Sequence, residues 1–173
     1  SSILFYVFIY TIWLKRKTYY NIVIGGAAGA LPPLIGWVSI TNSISPYPLI
    51  LFFIIFIWTP PHFWALSLFS KNDYHKAGIP MLPNILGKNI TKKSIIKYSY
   101  FLYLSSLLPY VFNFTGKLYL IAALVLSSIF LYLAYNIKTS EDLTSKKLFK
   151  FSILYLFLIF ITLMLDNLAI MHF

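Results

Sequence analysis

The feature that most limits how this chain can fold is a run of 53 consecutive positions, 18 to 70, without a Lys, Arg, Asp or Glu. A helix that crosses a bilayer needs roughly 20 apolar residues, because the hydrocarbon core is about 30 Å thick and each residue adds 1.5 Å. The run is therefore too long for one span, and the polar, proline-containing segment 41–48 divides it into two. With 60% hydrophobic and 10% charged residues, the chain cannot build a water-soluble surface. Its 20% of aromatic residues also excludes a disordered chain.

The other apolar runs extend this pattern to the whole chain. We predict an all-α polytopic membrane helix bundle, a single transmembrane domain over residues 1–173 with five full transmembrane helices and the end of a truncated one. Residues 1–14 are uncharged but too short for a full span, and the chain starts at Ser1 without a Met, so we expect the true N-terminus to lie upstream. The predicted spans are about 1–14 (partial), 20–40, 48–69, 98–115, 118–137 and 151–171, with charged loops at 71–97 and 138–150.

The placement of the basic residues predicts the topology. Of the 14 Lys and Arg residues, 13 fall within 15–19, 70–97 and 138–150, and the remaining one is Lys117. Cytoplasmic loops of membrane proteins carry the excess of Lys and Arg. We therefore predict that these three segments are cytoplasmic and that the C-terminus is outside. The net charge of +10 thus indicates a lipid bilayer as partner and no nucleic acid.

The first cytoplasmic segment is a candidate anion site. Three adjacent cations, Lys15 to Lys17, follow Tyr10 and precede Asn21. Cations at a helix end can hold a phosphate or diphosphate through charge-assisted hydrogen bonds. The same cations would also serve as orientation signals that touch lipid headgroups, and the residues alone leave both interpretations open.

The second candidate segment surrounds a proline pair near the end of a span. Pro60 and Pro61 lack backbone N–H groups, so the helix is expected to open or kink before them, next to His62. His62 is a candidate functional residue or a core histidine bonded to a freed carbonyl. Asp73 is the one carboxylate in segment 71–97 and has Lys71 beside it. One carboxylate does not complete a magnesium site, and a solvated ion pair is the alternative interpretation.

Two further features fall inside apolar runs. Gly25, Gly26 and Gly29 suit close helix packing, or alternatively thin the wall of a cavity for a bulky lipid. Asp166 is an intramembrane acid, which is a functional candidate by default. It lies about 24 Å from the inner end of its predicted helix, so we favour a structural role near the outer interface.

Three strings carry a resemblance to a known family: YTIWLKRKTYYNIVIGGAAGALPPLIGW, WTPPHFWALSLFSKNDYHKAGIPMLP and KKLFKFSILYLFLIFITLMLD. They resemble, in order and over nearly the whole chain, the protoheme IX farnesyltransferases (heme O synthases), a branch of the UbiA-type intramembrane prenyltransferase superfamily. The resemblance implies a nine-helix membrane bundle around a lateral cavity, of which this chain matches the later portion. It also implies that the active site lies on the cytoplasmic side.

The activity that the resemblance implies is transfer of a farnesyl group from farnesyl diphosphate to a vinyl group of heme B, with addition of water, to give heme O. It implies Mg²⁺ as cofactor and the bacterial cytoplasmic (inner) membrane as location. A downstream heme A synthase or a terminal oxidase would be a further partner.

The resemblance also implies roles for individual residues. Asp73 matches the surviving acid of the family's second aspartate-rich loop and would bind the metal and act in catalysis. His62 occupies the position where the wider superfamily has the first Asp of that loop, and haem contact, proton handling and cavity structure remain open as its role. The residues expected to bind substrate are Tyr10, Lys15, Arg16, Asn21 and Lys71.

The chain lacks one motif of the family, and three other functions remain as alternatives. The first aspartate-rich motif, Asn-x-x-x-Asp-x-x-x-Asp, does not occur in the 173 residues, so we expect this chain alone to be inactive and the complete protein to be an enzyme. The alternatives are a UbiA-type prenyltransferase with another acceptor, a small membrane transporter, and a non-catalytic oxidase subunit. A transporter would place ionisable residues near mid-membrane, and only Asp166 approaches that.

Overall fold

The structure, a computed structural model, describes residues 18, 21–70, 80–137 and 141–171, with the backbone alone at 141, 170 and 171. All regular structure in these ranges is helical, which confirms the predicted all-α membrane bundle. The helices are α1 (Asn21–Gly29), α2 (Pro32–Thr41), α3 (Pro46–Phe69), α4 (Leu82–Ile85), α5 (Gly87–Val111), α6 (Lys117–Asn136) and α7 (Glu141–Met171).

The first described span consists of two short helices. Pro32 and Pro33 have no N–H to donate to the carbonyls of Ala28 and Gly29, so α1 ends at Gly29 and α2 begins at Pro32. Together they form an apolar segment, Asn21–Thr41, that is long enough to cross a membrane. The segment then ends at Asn42, whose positive φ of 52° stops the helix while its N–H still bonds the Val38 carbonyl.

Helix α3 continues through the second proline pair without a break. Pro60 and Pro61 lie inside Pro46–Phe69, so the expected opening of the span does not appear as a helix end. The two prolines leave the carbonyls of Phe56 and Ile57 without their usual helical donors. Directly before the pair, the Thr59 hydroxyl donates to the Ile55 carbonyl at 2.8 Å.

Two segments predicted to be loops are in large part helical. Helix α5 begins at Gly87, eleven residues before the predicted span, and α7 begins at Glu141, ten residues before its span. Lysine is a good helix former and remains hydrated where a helix extends beyond the hydrocarbon core, so charge alone does not end these helices. Within the described ranges, four helical segments are long and apolar enough to span a membrane, and α5, with its lysines, serines and tyrosines, is not among them.

Helix α3 lies at the centre of the bundle and packs against α1, α2, α4, α5 and α7. It runs antiparallel to α7, because contacts join opposite ends of the two helices. At one end the Asn167 amide donates to the Tyr47 hydroxyl at 3.3 Å. At the other, the Phe69 and Phe149 rings lie 5.8 Å apart and Lys146 Nζ lies 5.7 Å from the Phe69 ring. The end of α3 and the start of α7 therefore lie on the same side of the bundle.

Buried hydroxyl groups connect α5, α6 and α7. Ser127 Oγ lies 2.9 Å from Ser106 Oγ and 3.2 Å from Tyr155 Oη, and Tyr119 Oη donates to the Ser106 carbonyl at 2.9 Å. All four residues are at most 1% exposed. In a bilayer, where lipid offers no hydrogen-bond partners, such contacts fix helices against one another.

Candidate active site

His62 is the sequence-predicted site residue whose surroundings the structure defines best. Its ring lies between the rings of Trp58 and Phe149, with centroids 4.3 Å and 4.7 Å away and interplanar angles of 19° and 25°. We call these three residues the His62 stack. Trp58 precedes His62 by four positions and so lies on the same face of α3, whereas Phe149 comes from α7. The stack is seven residues from the end of α3, about 10 Å along the helix axis.

Ser152 of α7 holds two members of this stack by hydrogen bonds. Its Oγ lies 2.6 Å from His62 Nδ1, and its backbone carbonyl accepts from Trp58 Nε1 at 2.9 Å. Ser152 is fully buried and His62 is 8% exposed. The relative position of α3 and α7 at this level is therefore set by specific polar contacts as well as by packing.

Two neighbouring apolar pockets lie beside the stack on the side of α1 and α2, and we refer to them as the two lobes of one open cavity. One lobe has a volume of about 530 Å³ and is lined by Pro32, Pro33, Ile55, Trp58, Ile153, Leu156, Phe157 and Phe160. A second lobe of about 360 Å³ is lined by Ile22, Gly25, Gly26, Gly29, Ile55, Trp58, Thr59, Phe63 and Leu156. The two lobes share Ile55, Trp58 and Leu156. A charge-free wall of this kind suits a hydrocarbon chain or the apolar edge of a large ring.

Gly26 and Gly29 of α1 have different roles, although the sequence offered close helix packing and a thin cavity wall as alternatives for both. A Cβ placed on Gly26 would meet the Cβ and Cγ2 of Thr59 at 3.1 Å, so Gly26 allows α1 to approach α3 closely. A Cβ on Gly29 would meet nothing within 4 Å, although Gly29 lines the cavity. Close packing therefore explains Gly26, while Gly29 leaves the cavity wall thin.

Two of the predicted site residues lie in the described ranges, and five do not. Asn21 is the first residue of α1, is 1% exposed, and donates its backbone N–H to the Thr18 carbonyl at 3.2 Å. His62 lies in α3, as described above. The five that lie outside the described residues are Tyr10, Lys15, Arg16, Lys71 and Asp73. Their positions relative to the His62 stack stay predictions.

The described residues do not fit a magnesium site. Within 18, 21–70, 80–137 and 141–171, no three His, Cys, Asp or Glu residues come together as metal ligands. Asp166, the buried acid, is 4% exposed and its two oxygens accept from the backbone N–H groups of Gly116 and Tyr119. It thus caps the start of α6, which supports the structural role favoured from its position. The expectation of Mg²⁺ depends on Asp73.

Comparison with known proteins identifies the family. The model of the UbiA prenyltransferase family matches residues 1–165. The chain belongs to this family. It is 51% identical over 179 residues to the protoheme IX farnesyltransferase of Acidiphilium cryptum, covering 98% of this chain and 56% of that protein. The protoheme IX farnesyltransferases of Parvibaculum lavamentivorans and Pelagibacter ubique are 51% and 52% identical, covering 96% of this chain and 54% and 56% of their own lengths.

These matches confirm the resemblance seen in the sequence. The chain spans a little over half the length of the curated relatives that it matches. No solved structure matches it. UbiA family membership and the apolar helices together establish a multi-pass membrane protein.

Sequence reasoning missed Ser152, Trp58 and Phe149 as neighbours of His62. Trp58 was detectable, because a residue four positions before His62 must share its helix face. Ser152 and Phe149 lie about 90 positions away, and a serine or phenylalanine within an apolar run carries no signal of its own. Only the packing of α7 on α3 reveals them.

Proposed function

We propose that the complete protein transfers the farnesyl group of farnesyl diphosphate to a vinyl group of heme B, producing heme O. The observation that carries this proposal is the identity of about half of all aligned residues to proteins named protoheme IX farnesyltransferase, over nearly the whole of this chain. The apolar cavity beside the His62 stack supports it, because a fifteen-carbon chain needs a charge-free wall.

The reaction can be assigned to chemical steps. The allylic C–O bond of farnesyl diphosphate breaks and its electron pair leaves with diphosphate. The farnesyl C1 then bonds to the terminal vinyl carbon, which leaves a cation on the vinyl carbon next to the porphyrin ring. Water adds to that cation and loses a proton. The protein must therefore stabilise a departing diphosphate, hold the apolar chain and accept a proton.

We assign diphosphate binding to the segments that carry the cations. Lys15 and Arg16, with Tyr10, precede Asn21 at the start of α1, and Lys71 and Asp73 follow the end of α3. All are proposed to face the cytoplasm of a bacterial cell, as the positive-inside rule predicts. Heme A synthase or a terminal oxidase remains the proposed recipient of the product.

The function is tested by supplying farnesyl diphosphate and heme B to bacterial membranes that contain the complete protein. We expect mass spectrometry to detect hydroxyethylfarnesyl heme. The 173-residue chain, expressed alone to the same level, is expected to form none, because it lacks the first aspartate-rich motif. If the complete protein prenylates a quinone precursor and not heme B, the acceptor assignment is wrong. Normal turnover by the 173-residue chain would refute its predicted inactivity.

If the farnesyl chain lies in the smaller lobe, a large side chain at Gly29 should exclude part of it. Gly29→Phe should fill part of the smaller lobe, since a Cβ there has open space around it. We expect kcat/KM for farnesyl diphosphate to fall at least about tenfold, with a smaller loss for the ten-carbon geranyl diphosphate.

Gly36→Phe is the matched control for this prediction. Gly36, like Gly29, is exposed and has open space around its position, but it does not line either lobe. Equal losses in the two variants, or an unchanged preference between the donors after Gly29→Phe, would show that the chain lies elsewhere.

A further inference from the structure

We propose that Ser152 is a positioning residue, which holds His62 as the tautomer with its proton on Nδ1 and thereby leaves the lone pair of Nε2 for the substrate. This inference rests on the proposed function for its catalytic consequence. The hydrogen-bond geometry that supports it is independent of that function.

The direction of the hydrogen bond follows from the single proton of the serine hydroxyl. Ser152 Oγ donates to the Phe149 carbonyl at 2.6 Å, one turn back along α7. The same oxygen lies 2.6 Å from His62 Nδ1. With its proton directed to the carbonyl, the hydroxyl accepts from its second neighbour, so His62 Nδ1 carries the hydrogen.

The other ring nitrogen then carries the lone pair. A neutral imidazole has one N–H, and the partner of one nitrogen decides which nitrogen remains free to take a proton or bind a metal. Among the described residues, Nε2 of His62 has no hydrogen-bond partner. The proposed reaction offers two uses for such a lone pair, the haem iron and the proton of the added water, and both require the same tautomer.

Ser152 also fixes the plane of the ring through Trp58. Trp58 Nε1 donates to the Ser152 carbonyl, so the indole that covers one face of His62 is fastened to the residue that bonds its edge. Phe149, which covers the other face, supplies the carbonyl that orients the Ser152 hydroxyl. One turn of α7 thus sets the tautomer and two of the surfaces around the imidazole.

The tautomer is measured by solid-state NMR of the complete protein, labelled with ¹⁵N-histidine and reconstituted in lipid. The His62 signal is identified by its loss in His62→Gln. We expect a protonated Nδ1 and an unprotonated Nε2 in the wild type, a measurement that does not depend on any variant folding. Ser152→Ala should redistribute the proton between the two nitrogens, whereas Ser152→Thr, which keeps the hydroxyl, should not. A wild-type ring with its proton on Nε2 would overturn the proposal.

The catalytic consequence is measured with the same variants. Partners that orient a functional histidine typically contribute about 10–100-fold, so Ser152→Ala should lower kcat for heme O formation at least about tenfold with little change in KM for farnesyl diphosphate. Ser152→Thr should restore most of this loss. Ser99→Ala is the control, because Ser99 is equally buried but bonds only the Ile95 carbonyl of its own helix.

The outcomes separate this inference from the proposed function. A wild-type protein that makes no prenylated haem refutes the function, while the NMR signal still tests the tautomer. An active wild type with unchanged kcat in Ser152→Ala overturns the positioning role. Equal losses in Ser152→Ala and Ser99→Ala overturn it as well, since they would report general packing. A Soret shift of bound haem that disappears in His62→Gln supports iron as the group that takes the lone pair.

Discussion

Removing the charges proposed to hold diphosphate should abolish prenyl transfer by the complete protein. We expect Asp73→Ala, and separately the double change Lys15→Ala with Arg16→Ala, to lower heme O formation by a factor of at least about 100. The double change removes cations that would stabilise the departing diphosphate, and Asp73→Ala removes the carboxylate that would hold a magnesium ion beside it. Asp73 is the one carboxylate between residues 71 and 97, so no neighbour in that segment replaces it. The measurement is product formation by mass spectrometry at equal abundance of each variant in the membrane.

Two control variants test whether the loss is specific. Lys147→Ala removes an exposed cation from another segment that is predicted to be cytoplasmic, and it should leave activity within about twofold. This control separates diphosphate binding from a general effect on membrane topology. Asp142→Ala is the control for Asp73→Ala. It removes an exposed acid near the start of α7 and should also leave activity within about twofold. Retained activity in Asp73→Ala or in the Lys15–Arg16 double variant would refute the site assignment for that segment. A loss in Lys147→Ala as large as in the double variant would indicate an effect on membrane topology.

Replacing Asp166 should cause the largest loss of stability of any single change that we predict. Asp166→Ala removes a carboxylate that accepts from the backbone N–H groups of Gly116 and Tyr119 at the start of α6. Hydrogen bonds to charged groups contribute about 1.5–3 kcal/mol each, and the buried donors would be left unpaired. We expect a loss of about 3 kcal/mol, seen as a fall of about 5 °C or more in the thermal midpoint of the detergent-solubilised protein.

The matched comparison for Asp166 uses the exposed acid of the same helix. Asp142→Ala should shift the midpoint by less than about 1 °C, because surface charges contribute little. Asp166→Asn keeps the shape and one acceptor oxygen and should lie between the wild type and Asp166→Ala. If Asp166→Ala were as stable as the wild type but inactive, the acid would have a functional role instead of the capping role that its contacts indicate.

The sequence predicted the class of fold and one part of the candidate site. Hydropathy and charge placement are properties of short segments, and the bilayer acts on each segment separately, so the four most apolar spans were predictable. The fifth predicted span, 98–115, lies in α5, which is not among the segments apolar enough to cross a membrane. His62 was identified from the proline pair before it and from the resemblance to the family. The prediction of loops was wrong at 87–97 and 141–150, which are helical. A lysine can end a membrane span without ending the helix. Ser152 could not be predicted, since its role exists only through a contact 90 positions away.

The two proline pairs show that the sequence alone does not determine whether a helix ends at a proline pair or continues through it. Each pair removes two N–H donors from a helix, and the sequence predicts an opening or kink before Pro60–Pro61. Only the tertiary structure decided the outcomes. Among the described helices, the glycine-rich α1 before Pro32 packs mainly against α3, and there the helix ends. The second pair lies in α3, which contacts five other helices, and there the helix continues. Packing on several sides offsets two missing hydrogen bonds, and the number of packed sides is a property of the whole bundle.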